Sequence, residues 1–256
     1  NYATYIQSVN QISLLDKEPG FLFIKLVNDI LFKSNINTFF LIFAALGVSI
    51  KFLAIKKMSK IPWLSAVAYL SLFYILHEMT QIRVGVAAGV FLIAIPDIYN
   101  KNLKNYLLKT LLAVSFHYSA IIMIPFYFLN SKKLNIIYLF LPFIGILVAI
   151  IKFPAFNLIN IIINYLPNFL AVKINKYLFL LQKGINSEIN IFNIYYSSLL
   201  LIFSFIFFAF FILKINIKQQ YDILYLKIFS LMLFIFYFFS FISVISFRIS
   251  DFLSII

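Results

Sequence analysis

Apolar runs follow one another through this chain, near residues 38–56, 62–77, 82–99, 106–129, 134–151, 192–213 and 224–247. Each approaches the ~20 residues that an α-helix needs to cross a ~30 Å hydrocarbon core. The expected fold class is therefore all-α, a polytopic transmembrane helical bundle. Composition agrees: 64% of residues are hydrophobic and 11% charged, against about 45–50% and 25% in a soluble domain. No polar stretch is long enough to form a soluble domain, so residues 1–256 are read as a single integral membrane domain. Residues 1–37 form an external amphipathic lead-in segment, and 152–191 a long external loop of the kind that serves as a lid or binding element. The chain opens at Asn1 and stops at Ile256 as a new apolar run begins, so it is expected to be a fragment of a longer multi-span protein.

Charge excludes several function classes. The net charge is +13, but the lysines fall in short groups between apolar runs, as loop charges do in membrane proteins. They are not interleaved with aromatics in a polar domain, which argues against nucleic-acid binding. The chain has no cysteine, so disulfides, thiolate metal sites and cysteine nucleophiles are excluded. Gly-rich phosphate loops, a Ser-His-Asp arrangement and spaced His ligand sets are all absent from the sequence.

Lysine asymmetry sets the expected orientation. Lys51, Lys56, Lys57 and Lys60 form the densest cluster and are placed in the cytoplasm. Residues 1–37 and 77–83 then lie on the opposite side, and Lys101, Lys104 and Lys109 return to the cytoplasm. Lys132-Lys133 conflicts with this if 106–129 crosses fully. Two solutions exist. Either 106–129 is a re-entrant hairpin bent near His117, or 154–170 crosses or dips, carrying Asn157, Asn160, Asn164 and Asn168 in a helical stripe. Both put Arg248 on the face of Arg83.

Against this apolar background a few polar clusters stand out. His77-Glu78-Met79-Thr80-Gln81-Ile82-Arg83 holds one of two arginines among 21 basic residues. Ionisable groups at such a place default to a functional reading. On one continuous helix Glu78 and Gln81 share a face and Arg83 points away, so the three converge only if the chain turns near Met79-Thr80. Arg83 offers a planar fork suited to phosphate or carboxylate. The plainer alternative is an interfacial arginine snorkelling to headgroups, with Glu78 as its ion-pair partner and His77 at the interface. Gly85, Ala87, Ala88 and Gly89 then form a patch that lets helices approach closely.

Asp16, Glu18, Pro19 and Gly20 read first as an exposed turn, then as a helix cap, and last as an acid pair for Mg²⁺. His117, in Ser115-Phe116-His117-Tyr118-Ser119, is costly to bury. It is read as a proton-transfer group, with a cross-helix hydrogen bond as the alternative. Arg248 and Asp251 sit one helical turn apart, as a span terminus or as a second cationic clamp.

Taken in order, these residues resemble a known family. Tyr2 and Tyr5, Glu18-Pro19-Gly20-Phe21, Glu78-x-x-Gln81-Ile82-Arg83, Phe116-His117-Tyr118-Ser119-Ala120, Lys176-Tyr177 and Arg248 resemble the EpsG-like branch of the Wzy-type polysaccharide polymerases, over nearly the whole chain. Val84 departs from the pattern, because a polar residue commonly follows the Gln-Ile-Arg.

The resemblance implies a glycosyltransferase of the bacterial cytoplasmic (inner) membrane that joins undecaprenyl-diphosphate-linked oligosaccharides on its outer side. Donor and acceptor glycans, the bilayer and a chain-length regulator are the implied partners, with no cofactor and no metal. Arg83 and Arg248 are the candidates for stabilising the leaving diphosphate. Glu18, Glu78 and His117 compete as the base for the acceptor hydroxyl. Gln81 and Tyr177 would orient sugar or phosphate, and Tyr5, Tyr118, Lys176 and Asp251 complete the substrate-binding set. Two other readings stand beside this one: a flippase or transporter for lipid-linked oligosaccharide, and a membrane acyltransferase with His117 as base.

Overall fold

The computed structural model describes residues 18–151, 163–165, 171, 172, 175, 178, 179, 189–211 and 220–255. Tyr5, Asp16, Lys176, Tyr177, Asn157, Asn160 and Asn168 lie outside the described residues, as does most of the 152–191 connection. Among the described residues there is no strand, so the all-α expectation holds. The chain forms two compact units, residues 1–127 and 128–256.

The first unit begins with α1 (Pro19–Phe32), whose Pro19 occupies the first helical turn, where no backbone N–H is needed. Lys33, in the left-handed region at φ 51°, closes the helix by donating its N–H to the Asn28 carbonyl. The corner into α2 (Ile36–Met58) is tied by buried Asn28, whose amide donates to the Asn35 carbonyl at 3.0 Å and accepts from the Thr38 hydroxyl at 2.6 Å. With 23 residues at 1.5 Å each, α2 is about 35 Å long. It and α4 (Ile82–Tyr99) are long and apolar enough to cross a bilayer.

Between them, α3 (Pro62–Leu72) leads into a π-helical segment, Ile75–Thr80, where Gln81 donates its N–H to the Leu76 carbonyl five residues back at 2.7 Å. The turn expected near Met79-Thr80 is present, and it falls at Gln81 (φ −111°, ψ 52°). The small residues of α4 have the role their size suggested. A Cβ added at Gly89 would lie 3.1 Å from the Ile50 side chain, and one at Gly85 would lie 2.5 Å from the His77 carbonyl oxygen. Helix α4 is thereby pressed onto both α2 and the π-helical segment.

Helix α5 (Leu103–Phe116) ends abruptly at His117, whose backbone is extended (φ −153°, ψ 116°). A 3₁₀ turn, Tyr118–Ile122, and the short α6 (Met123–Phe126) follow. They run back along α5. The Tyr106 hydroxyl donates to the Met123 carbonyl at 2.5 Å, the Tyr127 hydroxyl donates to the Lys101 carbonyl at 2.8 Å, and Lys101 Nζ donates to the Tyr127 carbonyl at 3.1 Å. The stretch 106–129 is thus a hairpin bent at His117, and its reading as one full crossing is set aside. Irregular backbone inside a bilayer must be covered by protein; Ala120, Met123 and Phe126 are buried.

The second unit contains α7 (Ile137–Ile150), α8 (Ile194–Phe211), α9 (Asp222–Phe238) and α10 (Ser243–Leu253). Pro142 lies inside α7 and has no N–H for the Tyr138 carbonyl four residues back. The Ser230 hydroxyl of α9 donates to that carbonyl instead. Gly145 lets the two helices touch, since an added Cβ would lie 3.0 Å from the Phe234 carbonyl oxygen. The apolar run 224–247 is not one span. It breaks after Phe238, and α10 starts at Ser243, whose neighbour Ser246 donates its hydroxyl back to the Phe236 carbonyl at 2.7 Å.

Candidate functional site

Three residues far apart in sequence converge in the first unit: Glu18, Arg83 and His117. Glu18 occupies the N-cap position of α1, but its side chain makes no capping hydrogen bond. The exposed-turn reading fails, because the residue is buried. Gly20 explains how α1 gets there. A Cβ at that position would lie 2.9 Å from the Ser115 carbonyl oxygen and 3.1 Å from the Phe116 ring, so the first turn of α1 rests directly on the end of α5. Arg83 enters from the first turn of α4, re-aimed by the break at Gln81.

One guanidinium N–H of Arg83 donates to Glu18 Oε2, and the guanidinium lies 5.4 Å from the centre of the Phe21 ring, a cation–π distance. Glu18 takes one of the five N–H donors that a guanidinium carries, and the Arg83 side chain remains 33% exposed. His117 is buried, and its Nδ1 stands 3.7 Å from Glu18 Oε1, longer than a hydrogen bond. Neither ring nitrogen of His117 has a hydrogen-bond partner among the described residues. A buried imidazole in that state is poised to accept a partner.

Burial by itself raises the proton affinity of the Glu18 carboxylate. The neighbouring His117 side chain and the Arg83 charge outweigh it and hold the carboxyl at about 2, below its ordinary 4.5. Because the folded value is depressed, the ionised carboxylate contributes stability at every pH above about 4.5, and that contribution is lost as pH falls towards 2. At neutral pH Glu18 is a fixed anion that orients its two neighbours.

The pairing of Glu78 with Arg83 is overturned. Glu78 is buried and turned to α2 and α3, where its Oε1 accepts from Lys51 Nζ and, at 2.8 Å, from the Tyr69 hydroxyl. Nor is Lys51 a loop charge. It lies within α2, fully buried, while Lys56 and Lys57 mark the helix end. A lysine flanked by Ile50 and Phe52 inside a spanning run was the signal available for this pair. His77, expected at the interface, is also fully buried, 5.7 Å from the Phe73 ring.

Gly47 supplies the space for the Glu78 carboxylate, since an added Cβ would overlap Oε2. Gly47→Ala is expected to lower stability by roughly 1–3 kcal/mol, the usual cost of overpacking a filled interior. A fall in the thermal unfolding midpoint of the purified protein in detergent measures it. Gly145→Ala, which meets neighbours at 3.0 Å or beyond, is the milder control.

Gln81 and Tyr118, both half-buried, flank the cluster in sequence, at the start of α4 and directly after His117. Arg248 and Asp251 share α10 of the second unit, and Arg248 is exposed. Asp251 Oδ1 accepts from the Tyr196 hydroxyl at 3.3 Å, and the same hydroxyl lies 2.7 Å from Ser250 Oγ. A further pair, missed in the sequence, joins Lys109 to Asp97 at 2.6 Å and to the Ile93 carbonyl at 3.0 Å.

An ionised carboxylate between an imidazole and a guanidinium can orient a proton acceptor and an anion-binding group together. No curated protein and no solved structure matches the chain. The EpsG family model matches residues 1–256, the whole chain, and the all-α fold with its two helices of spanning length is that of a helical membrane protein. The chain belongs to the EpsG family, a Wzy-like polysaccharide polymerase family.

Proposed function

We propose that the protein is a repeat-unit polymerase that transfers a growing glycan from undecaprenyl diphosphate to a hydroxyl of a new lipid-linked repeat unit, on the outer side of the cytoplasmic membrane. The observation that carries this reading is the convergence of Glu18, Arg83 and His117. The bond from the glycan's anomeric carbon to the diphosphate breaks, and negative charge collects on the leaving oxygen. A preorganised guanidinium stabilises that charge where it develops, and the exposed part of Arg83 is the group for it. The acceptor hydroxyl gives up its proton as its oxygen bonds to the anomeric carbon. His117 takes that proton, because Glu18 at about 2 has too little proton affinity to serve as base near neutral pH.

Glu18 is then a positioning residue, and Glu78 is occupied by Lys51 and Tyr69. Gln81 and Tyr118 orient the substrate beside the cluster. Arg248 and Asp251 on α10 are assigned to substrate binding within the second unit, and Tyr5, Lys176 and Tyr177 to glycan. The polyprenyl tail stays in the bilayer while its headgroup reaches the site, and Arg83 takes the neutralising role that a metal has in other phosphate sites.

The test is polymer length in a host lacking its own polymerase. The intact chain should restore long glycan, and loss of Arg83 should leave single repeat units outside the cell. Repeat units trapped inside would point to a flippase, and full-length glycan lacking acyl groups to an acyltransferase.

A further inference from the structure

The Lys51–Glu78 pair has no part in the chemistry above, and burying it is costly. Desolvating two charges often costs more than their attraction returns, and apolar residues of similar volume are frequently as stable or more so. Here both side chains are fully buried, and three glycines shape the surroundings: Gly47 beside the carboxylate, Gly85 against the His77 backbone, and Gly89 against Ile50 and Lys51. A built site of this kind inside a spanning bundle calls for a role other than stability.

We propose that Lys51, Tyr69 and Glu78 form a positioning device that sets the direction of Arg83. The inference rests on the reading of Arg83 as the diphosphate-binding group. Glu78 stands in the π-helical segment, whose wider turns are frequent at functional sites. On an uninterrupted α-helix, residues 78 and 83 would point about 140° apart at 100° per residue, with nothing to hold either direction. Glu78 is instead pinned from two helices at once, by Lys51 of α2 and Tyr69 of α3. The π-helical segment then passes its position to α4 through the contact of His77 with Gly85, two residues beyond Arg83. Rotation of the segment is thereby blocked, and the Arg83 guanidinium meets Glu18 at the start of α1.

The experiment compares three proteins in the same host and after purification: K51M/E78L, Y69F and the Arg83→Ala control. Replacing the ion pair with apolar side chains strands no charge and leaves only the Tyr69 hydroxyl without its acceptor, so the unfolding midpoint should stay close to the parental value. A misplaced Arg83 should nevertheless lower kcat by roughly 10²-fold, with KM for the lipid-linked unit altered by no more than about twofold. Because the chain has no cysteine, Arg83→Cys can be labelled with a membrane-impermeant thiol reagent, and its labelling rate should change when K51M/E78L is added.

Parental kcat in K51M/E78L overturns the inference, and so does a lowered kcat with an unchanged labelling rate. Should K51M/E78L fail to accumulate, Y69F decides. That substitution removes only one hydrogen bond to Glu78, and parental kcat there overturns the proposal, while a lowered kcat at an unchanged midpoint supports it. Full activity of Arg83→Ala would instead remove the reading on which the inference stands.

Discussion

Arg83→Ala is expected to stop polymerisation, lowering kcat by about 10²–10³-fold, the loss typical when one preorganised donor to a developing oxyanion is removed. The size follows from the site. In the proposed reaction the leaving diphosphate gains charge in a low-dielectric environment, and Arg83 is a cation available to meet it, partly exposed and already oriented by Glu18. Arg83→Lys separates charge from shape. It keeps the positive charge but loses the planar fork, so it should recover part of the rate. Lipopolysaccharide or exopolysaccharide ladders at matched membrane abundance give the readout. Long chains of normal distribution from Arg83→Ala would remove this residue from the mechanism.

The second large effect is expected at His117. His117→Ala should lower kcat by about 10²–10⁴-fold, the range of a positioned general base. Its signature is chemical rescue. Exogenous imidazole should restore part of the lost rate to His117→Ala and none to Glu18→Gln, whose own loss should be smaller. Glu18 cannot take the base's place, because its carboxyl is held at about 2. A His117→Ala variant with parental kcat would show that the base lies elsewhere.

These residues were legible one by one. His117 stood out because an ionisable ring in an apolar stretch is expensive, and Arg83 because arginine is so rare here. Helix α4 was legible to its ends, since the polar cluster before it and the small-residue face within it are local features. The split between α9 and α10 was not. No proline or glycine marks residues 239–242, and the break is held by Ser246 reaching back to Phe236. The hairpin at 106–129 was one of two options the lysines allowed, and hydrogen bonds from Tyr106 and Tyr127 form it; the other option, 154–170, lies largely outside the described residues.

What the sequence by itself determined is the kind of molecule and its candidate groups. Apolar length, lysine placement and scarce polar residues are properties of short stretches, and they fix helices and costly side chains without knowledge of neighbours. Which carboxylate meets which cation was decided only by tertiary structure. Glu78 is five residues from Arg83 yet pairs with Lys51, and Arg83 pairs with Glu18, 65 residues away. The reason is geometric. Close glycine contacts choose which helices touch, and a π-helical turn with a break at Gln81 rotates adjacent residues towards different neighbours.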